Sequence, residues 1–157
     1  MTSKLSTDQG EQEAASVLKV FNANYKDSGL FGVYFQSPDN RVEDSMWYTL
    51  WNLVRMVHKT TESELAFAQD QLKEALLQER STTAGSAACL AKDLACYGRP
   101  VSLKELFARI DAVKVDDVKA VAKKVINDQD HALAAVGAIY ELPDYNWIRR
   151  RSHWLRY

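Results

Sequence analysis

Surplus charge is the first thing missing from this 157-residue chain: 20 basic residues face 21 acidic ones, for a formal net charge of −1. A global basic field of the kind that draws in nucleic acid or anionic lipid is thereby excluded. Apolar runs are short as well, none approaching the ~20 residues a membrane-spanning helix requires, so no direct membrane span is expected. Only three histidines occur, His58, His131 and His153, on three different predicted elements. A helical zinc site needs two of them one turn apart with a neighbouring Glu, and the chain has no such pair. Its two cysteines, Cys89 and Cys96, fall two helical turns apart, about 10 Å along the axis. That is too far for a disulfide, and two thiols alone make no zinc site. They read as small buried apolar side chains. No catalytic residue, metal ligand or cofactor-binding motif emerges.

What the chain has is an ordinary globular composition, 46% hydrophobic and 26% charged, with size enough for a core. Residues 1–12 are polar and read as mobile. Phe21-Asn-Ala-Asn-Tyr25 alternates like a half-buried strand, and Leu30–Phe35 reads as a second, more central strand of the same hairpin. Gly32 within it suggests that a helix or another backbone passes close by. Val42, Met46, Leu50, Leu53, Val54 and Val57 then recur at helical spacing, with Trp47 and Trp51 widening the stripe. Thr61-Glu-Ser-Glu64 is a capping-box pattern opening a helix through Leu65, Leu72 and Leu76. Glu62 and Glu64 are accordingly helix-start charges, and His58 a helix-end cation. A small-residue helix follows Ser81–Ser86 and stops at Gly98 and Pro100. Ser102-Leu-Lys-Glu105 is a second capping box, leading two short amphipathic helices. Leu133–Ile139 is continuously apolar and reads as a buried strand.

The expected order is β-β-α-α-α-α-α-β and a tail: an α+β fold whose mixed or antiparallel sheet is covered by helices. Residues 1–16 form a polar N-terminal segment, 17–141 the α+β domain, and 142–157 a basic and aromatic tail. Three strands are few for five helices to cover, so the fold is expected to be incomplete without a partner chain.

Six stretches carry a family resemblance: Phe21–Phe35, Thr60–Ala66, Cys96-Tyr-Gly-Arg-Pro100, Leu106–Val113, Ala134-Ala-Val-Gly137 and Pro143–Tyr157. In this order and spacing the chain resembles the C-terminal domain of the mitochondrial processing-peptidase beta subunit and complex III core-protein family, within the inverted-zincin, pitrilysin-type superfamily. Its Tyr-Gly-Arg and Leu142-Pro-Asp-Tyr-Asn146 elements favour that branch over the bacterial peptidases. The resemblance implies that zinc chemistry resides in an N-terminal domain, whose H-x-x-E-H motif this sequence lacks. It also implies further strands ahead of the segment matching Val17–Phe35. Met1–Ser16 carry Asp8, Glu11 and Glu13 against Lys4, unlike an Arg-rich mitochondrial presequence.

The implied role is that of a non-catalytic structural subunit of ubiquinol–cytochrome c reductase, complex III, on the matrix side of the mitochondrial inner membrane. The competing expectation is the C-terminal part of a split processing-peptidase beta subunit that assists presequence cleavage by a zinc-bearing partner. Expected partners are a chain carrying the N-terminal peptidase-like domain, an alpha-type core subunit and other complex III subunits; no nucleic acid and no cofactor is expected. Candidate interface residues are Trp47 and Trp51 in the helical stripe and Trp147, Arg149, Arg150 and Trp154 in the tail, because Trp and Arg anchor interfaces. The bland reading of that tail docks its aromatics on the domain and sets its Arg side chains against acidic neighbours.

Overall fold

Hydroxyl and carboxylate side chains start most of the helices. In the computed structural model, which describes residues 3–153, Ser3 accepts a hydrogen bond from the Ser6 amide and opens α1 (Lys4–Glu11). Thr61 opens α3 (Glu62–Glu79) with both halves of its capping box formed. Thr82 opens α4 (Thr83–Tyr97), which Gly98 ends in the left-handed region at φ 71°. Ser102 opens α5 (Leu103–Ala112), and Asp144 opens α7 (Tyr145–Arg150). Each such cap satisfies amides that the first helical turn leaves without intrahelical partners. Two further helices, α2 (Val42–His58) and α6 (Val115–Val125), complete the set. The strands are β1 (Val17–Asn24) and β2 (Gly29–Gln36). They form a two-stranded sheet, necessarily antiparallel because only four residues connect them.

The chain divides into two compact units. One contains the chain up to Asn22, Phe31–Thr60 and everything from Asp116 onward. Its core is Met46, Leu50 and fully buried Ile148, against which Phe35, Leu142 and Trp147 pack. Helix α1 lies on α2 through polar contacts. The Gln9 amide donates to the Ser45 carbonyl at 2.9 Å and to Thr49 Oγ1 at 3.2 Å, and Asn52 Nδ2 donates to Asp8 Oδ2 at 2.8 Å. The Ala14 carbonyl accepts from both Ser37 Oγ and Ser45 Oγ at 2.6 Å.

The other unit contains Ala23–Leu30 and Thr61–Val115. Gln69 Nε2 on α3 donates to the Ile110 and Val113 carbonyls at the end of α5, at 2.8 and 3.1 Å, and Lys73 pairs with Asp111 at 2.5 Å. Arg80 Nη2 pairs with Asp93 Oδ2 at 3.1 Å, while Arg80 Nη1 donates to the Val101 carbonyl and the Val101 amide donates back to Asp93. This polar cluster, with Val101 only 2% exposed, ties α3, α4 and the loop before α5.

The α+β class stands, but four local expectations change. The N-terminal stretch read as mobile is helical, because Gln9 and Ala14 are buried and their polar atoms bond to α2 and its approach. Gly32 is not approached by a helix; the Phe21 ring of the paired strand lies over it, where a Cβ would collide. At Ser102 only half of the capping box forms, since the Glu105 carboxylate turns to Arg99 and Arg109 instead. The run Leu133–Ile139 is no strand. Residues 132–140 are all exposed and irregular, because an apolar run asks for burial but does not supply the neighbouring strand that gives it.

Candidate partner interface

Helix α2 carries the first candidates. Met46, Leu50, Val54 and Val57 are buried along one face, and the next stripe, one residue C-terminal to Met46 and Leu50, holds Trp47 and Trp51. Residues four apart on a helix are neighbours. Here the two indoles stack with centroids 5.6 Å apart and planes within 5° of parallel. Tyr48 meets Trp47 edge-on at 5.1 Å. Trp51 is 39% exposed. The stack is thus rigid on its inner side and open to solvent on its outer side, which suits an aromatic anchor that loses little freedom on binding.

Helix α7 carries the second group, and the structure separates its members. Trp147 packs on the core, and the Arg151 guanidinium lies 4.1 Å from its ring centroid, a cation–π contact. Arg149 is engaged within the unit. Its Nε donates to Asp130 at 2.5 Å, Nη1 to Asp128 Oδ1 at 2.9 Å and Ser152 Oγ at 2.9 Å, and Nη2 to the Asp128 carbonyl at 2.8 Å. The Asp130 carboxylate, then Asp128, raises the guanidinium pKa further above its ordinary value. Arg149 therefore fastens α7 to the turn after α6. Arg150 is exposed, and Trp154 lies outside the described residues. Trp47 and Trp51 are brought together on α2, whereas Trp147 meets the core and Arg151 while Arg149 meets Asp128 and Asp130.

Among the described residues no group of three or more His, Cys, Asp or Glu side chains could hold a metal. No described helix is long and apolar enough to cross a membrane. Both cysteines are free thiols, Cys89 buried and Cys96 half-buried. An open depression lined by Ala23, Asn24, Tyr25, Lys26, Lys92, Ala95 and Cys96 contains no acid–base pair.

Sequence reasoning missed the breadth of uncovered apolar surface. In the first unit Val20, Phe31, Tyr34, Val121, Val125, Ile139 and Tyr140 are exposed, Tyr140 at 95%. In the second, Tyr25, Leu30, Leu72, Leu77, Leu90, Leu94 and Tyr97 are exposed. Extended apolar area of this kind is a feature of interaction surfaces. The helical periodicity was visible in the sequence, but periodicity cannot tell whether the covering layer belongs to the same chain.

The probable mitochondrial-processing peptidase subunit beta of Arabidopsis thaliana is 41% identical over 145 residues, covering 92% of this chain but 27% of that protein. The mitochondrial-processing peptidase subunit beta of Blastocladiella emersonii is 38% identical over 157 residues, covering 99% of this chain and 34% of its own. A chain in the structure of complex III2 from Candida albicans superposes with a TM-score of 0.91 at 28% identity, over 98% of this chain and 37% of that one. The chain is homologous to part of the processing-peptidase beta and complex III core-protein family. It spans about a third of the length of the curated relatives it matches. No family model matches it. This homology to the C-terminal part of the family accounts for the helix-rich α+β architecture.

Proposed function

We propose that this chain is a non-catalytic structural subunit of complex III, the C-terminal portion of a core or beta-type subunit on the matrix side of the mitochondrial inner membrane. A companion chain carrying the N-terminal peptidase-like domain and the missing strands would complete it, with an alpha-type core subunit and other complex III subunits as further neighbours. One observation carries the reading. The backbone superposes almost throughout on about a third of a complex III2 chain, while its own apolar faces stay uncovered. In this role Trp47 and Trp51 enter the partner interface with Trp147, Arg150 and Trp154 contributing, and Arg149 positions α7.

The second reading is the C-terminal part of a split processing peptidase, in which the companion supplies zinc and this chain walls the substrate chamber. Its specific support is sequence identity, 41% to a processing-peptidase beta subunit against 28% to the complex III2 chain. Mass spectrometry of native mitochondrial complexes tests the choice. Co-migration with complex III, and a companion without an intact H-x-x-E-H, is expected. A tight complex with a companion bearing an intact motif, and presequence cleavage lost when that motif is mutated, would move the assignment to the peptidase.

A further inference from the structure

One carboxylate on α5 serves two guanidinium groups. Arg99 Nη1 and Nη2 donate to the two Glu105 oxygens at 2.9 and 2.7 Å, and Arg109 Nη2 donates to the same Oε1 at 2.6 Å. Among the described residues no second acid pairs with either arginine, so one positive charge is left uncompensated. The Arg99 and Arg109 side chains are 56% and 55% exposed, against 31% for Glu105. Arg109 keeps its Nε and Nη1 groups without a hydrogen-bond partner among the described residues, and guanidinium N–H groups so placed fit a carboxylate. The fork is also held in place. Arg99 belongs to the loop that buried Val101 anchors through Asp93 and Arg80, and Arg109 rides on α5, which Ser102 caps. A site fixed before its ligand arrives loses little freedom on binding.

We propose that Arg109, with Arg99 beside it, receives an Asp or Glu side chain from a neighbouring polypeptide of the assembly. This rests on the functional reading above and gives the chemistry of one contact that reading requires. Charge decides the occupant. One residual positive charge, in a chain of net charge −1, matches a single carboxylate. Nucleic acid and anionic bilayers are held by many basic side chains acting together, which this fork does not offer. The incoming acid gives Arg109 the counter-ion that Glu105 shares with Arg99, and burial at the contact shields the pair from salt. Glu105 therefore competes with the ligand: it orients both guanidinium groups and weakens their pull on another acid. Reversing Arg109 and neutralising Glu105 must then act in opposite directions, whereas a purely local ion pair gives both the same sign.

The test recovers the complex from mitochondria through a tag on the chain, with a salt wash that releases part of the neighbours held by the parent. Arg109→Glu lowers recovery of a co-purifying polypeptide at least tenfold, and Glu105→Gln raises recovery of the same polypeptide at least twofold. The helical circular-dichroism signal of both isolated variants stays at the parent level, because Ser102 caps α5 through the Glu105 amide rather than its carboxylate. Any result in which the two variants do not move recovery in opposite directions overturns the site and leaves the subunit assignment intact. A parent chain that recovers no other polypeptide removes both. Arg109→Lys supplies an independent arm, since the substituted amine couples to a touching carboxylate under a carbodiimide. Mass spectrometry then finds position 109 joined to an Asp or Glu of another polypeptide; coupling to Glu105 alone, or no coupling, overturns the proposal. Binding of the parent chain to phosphatidylglycerol vesicles, abolished by Arg109→Glu, assigns the fork to a lipid phosphate and equally overturns it.

Discussion

Asp93 is 8% exposed, and its carboxylate accepts both from Arg80 and from the Val101 amide. Removing one partner of a buried pair strands the other charge, at a cost of about 3–5 kcal/mol. Asp93→Ala should therefore lower stability by that order in urea unfolding of the assembled protein. Gly85 is tighter still. A Cβ there would run into the Glu79 carbonyl oxygen, which is backbone and cannot swing aside, so Gly85→Ala should cost about 1–3 kcal/mol as overpacking does. Glu105 governs acid behaviour locally. Arg99 first, and Arg109 with it, holds its carboxyl below the usual carboxylate range, while desolvation opposes them. A lowered folded pKa means stability that is present above the ordinary carboxylate value and lost as pH falls through the lowered one. The melting-temperature gap between the parent and Glu105→Gln should accordingly close on acidification, as followed by differential scanning fluorimetry. Among these residues, the Glu105 signal was legible as a capping box. Its diversion to Arg99 was not, because ion-pair geometry depends on how Gly98 and Pro100 turn the chain.

Helices were the easiest elements to read. The α2 stripe, the Thr61 box and the Gly98 stop all follow from local chemistry that needs no distant partner. The hairpin was equally legible, since alternation and a four-residue turn are local signals. What failed was anything whose partner lay far away in sequence. The polar helix α1 gives no apolar stripe to read, because it docks through Gln9 and Asp8. The run at 133–139 met no strand. For α7, Arg149 is the fastening element, and Arg149→Ala should raise amide exchange across Tyr145–Arg150 and lower the melting temperature. Arg150→Ala should leave both unchanged, and equal effects from the two would contradict the clamp.

At the scale of the whole molecule, buried apolar residues among the described ones are few: Ala14, Met46, Leu50, Val54, Val57, Cys89, Val101, Ala122 and Ile148. Against them stand long apolar side chains open to solvent on both units. An isolated chain with that balance should bind a hydrophobic dye such as ANS, associate at micromolar concentration and melt over a broad range. A sharp two-state melt of a monomer would contradict the companion-chain model. Zinc analysis of the purified chain should return no stoichiometric metal, consistent with histidines scattered over His58, His131 and His153.

The stacked indoles of Trp47 and Trp51 make the molecule its own optical gauge. Because Trp51 still sees water, its emission should shift to shorter wavelength when another polypeptide closes over α2. Trp51→Phe should silence most of that shift, so assembly can be timed in a stopped-flow fluorimeter without attaching any label.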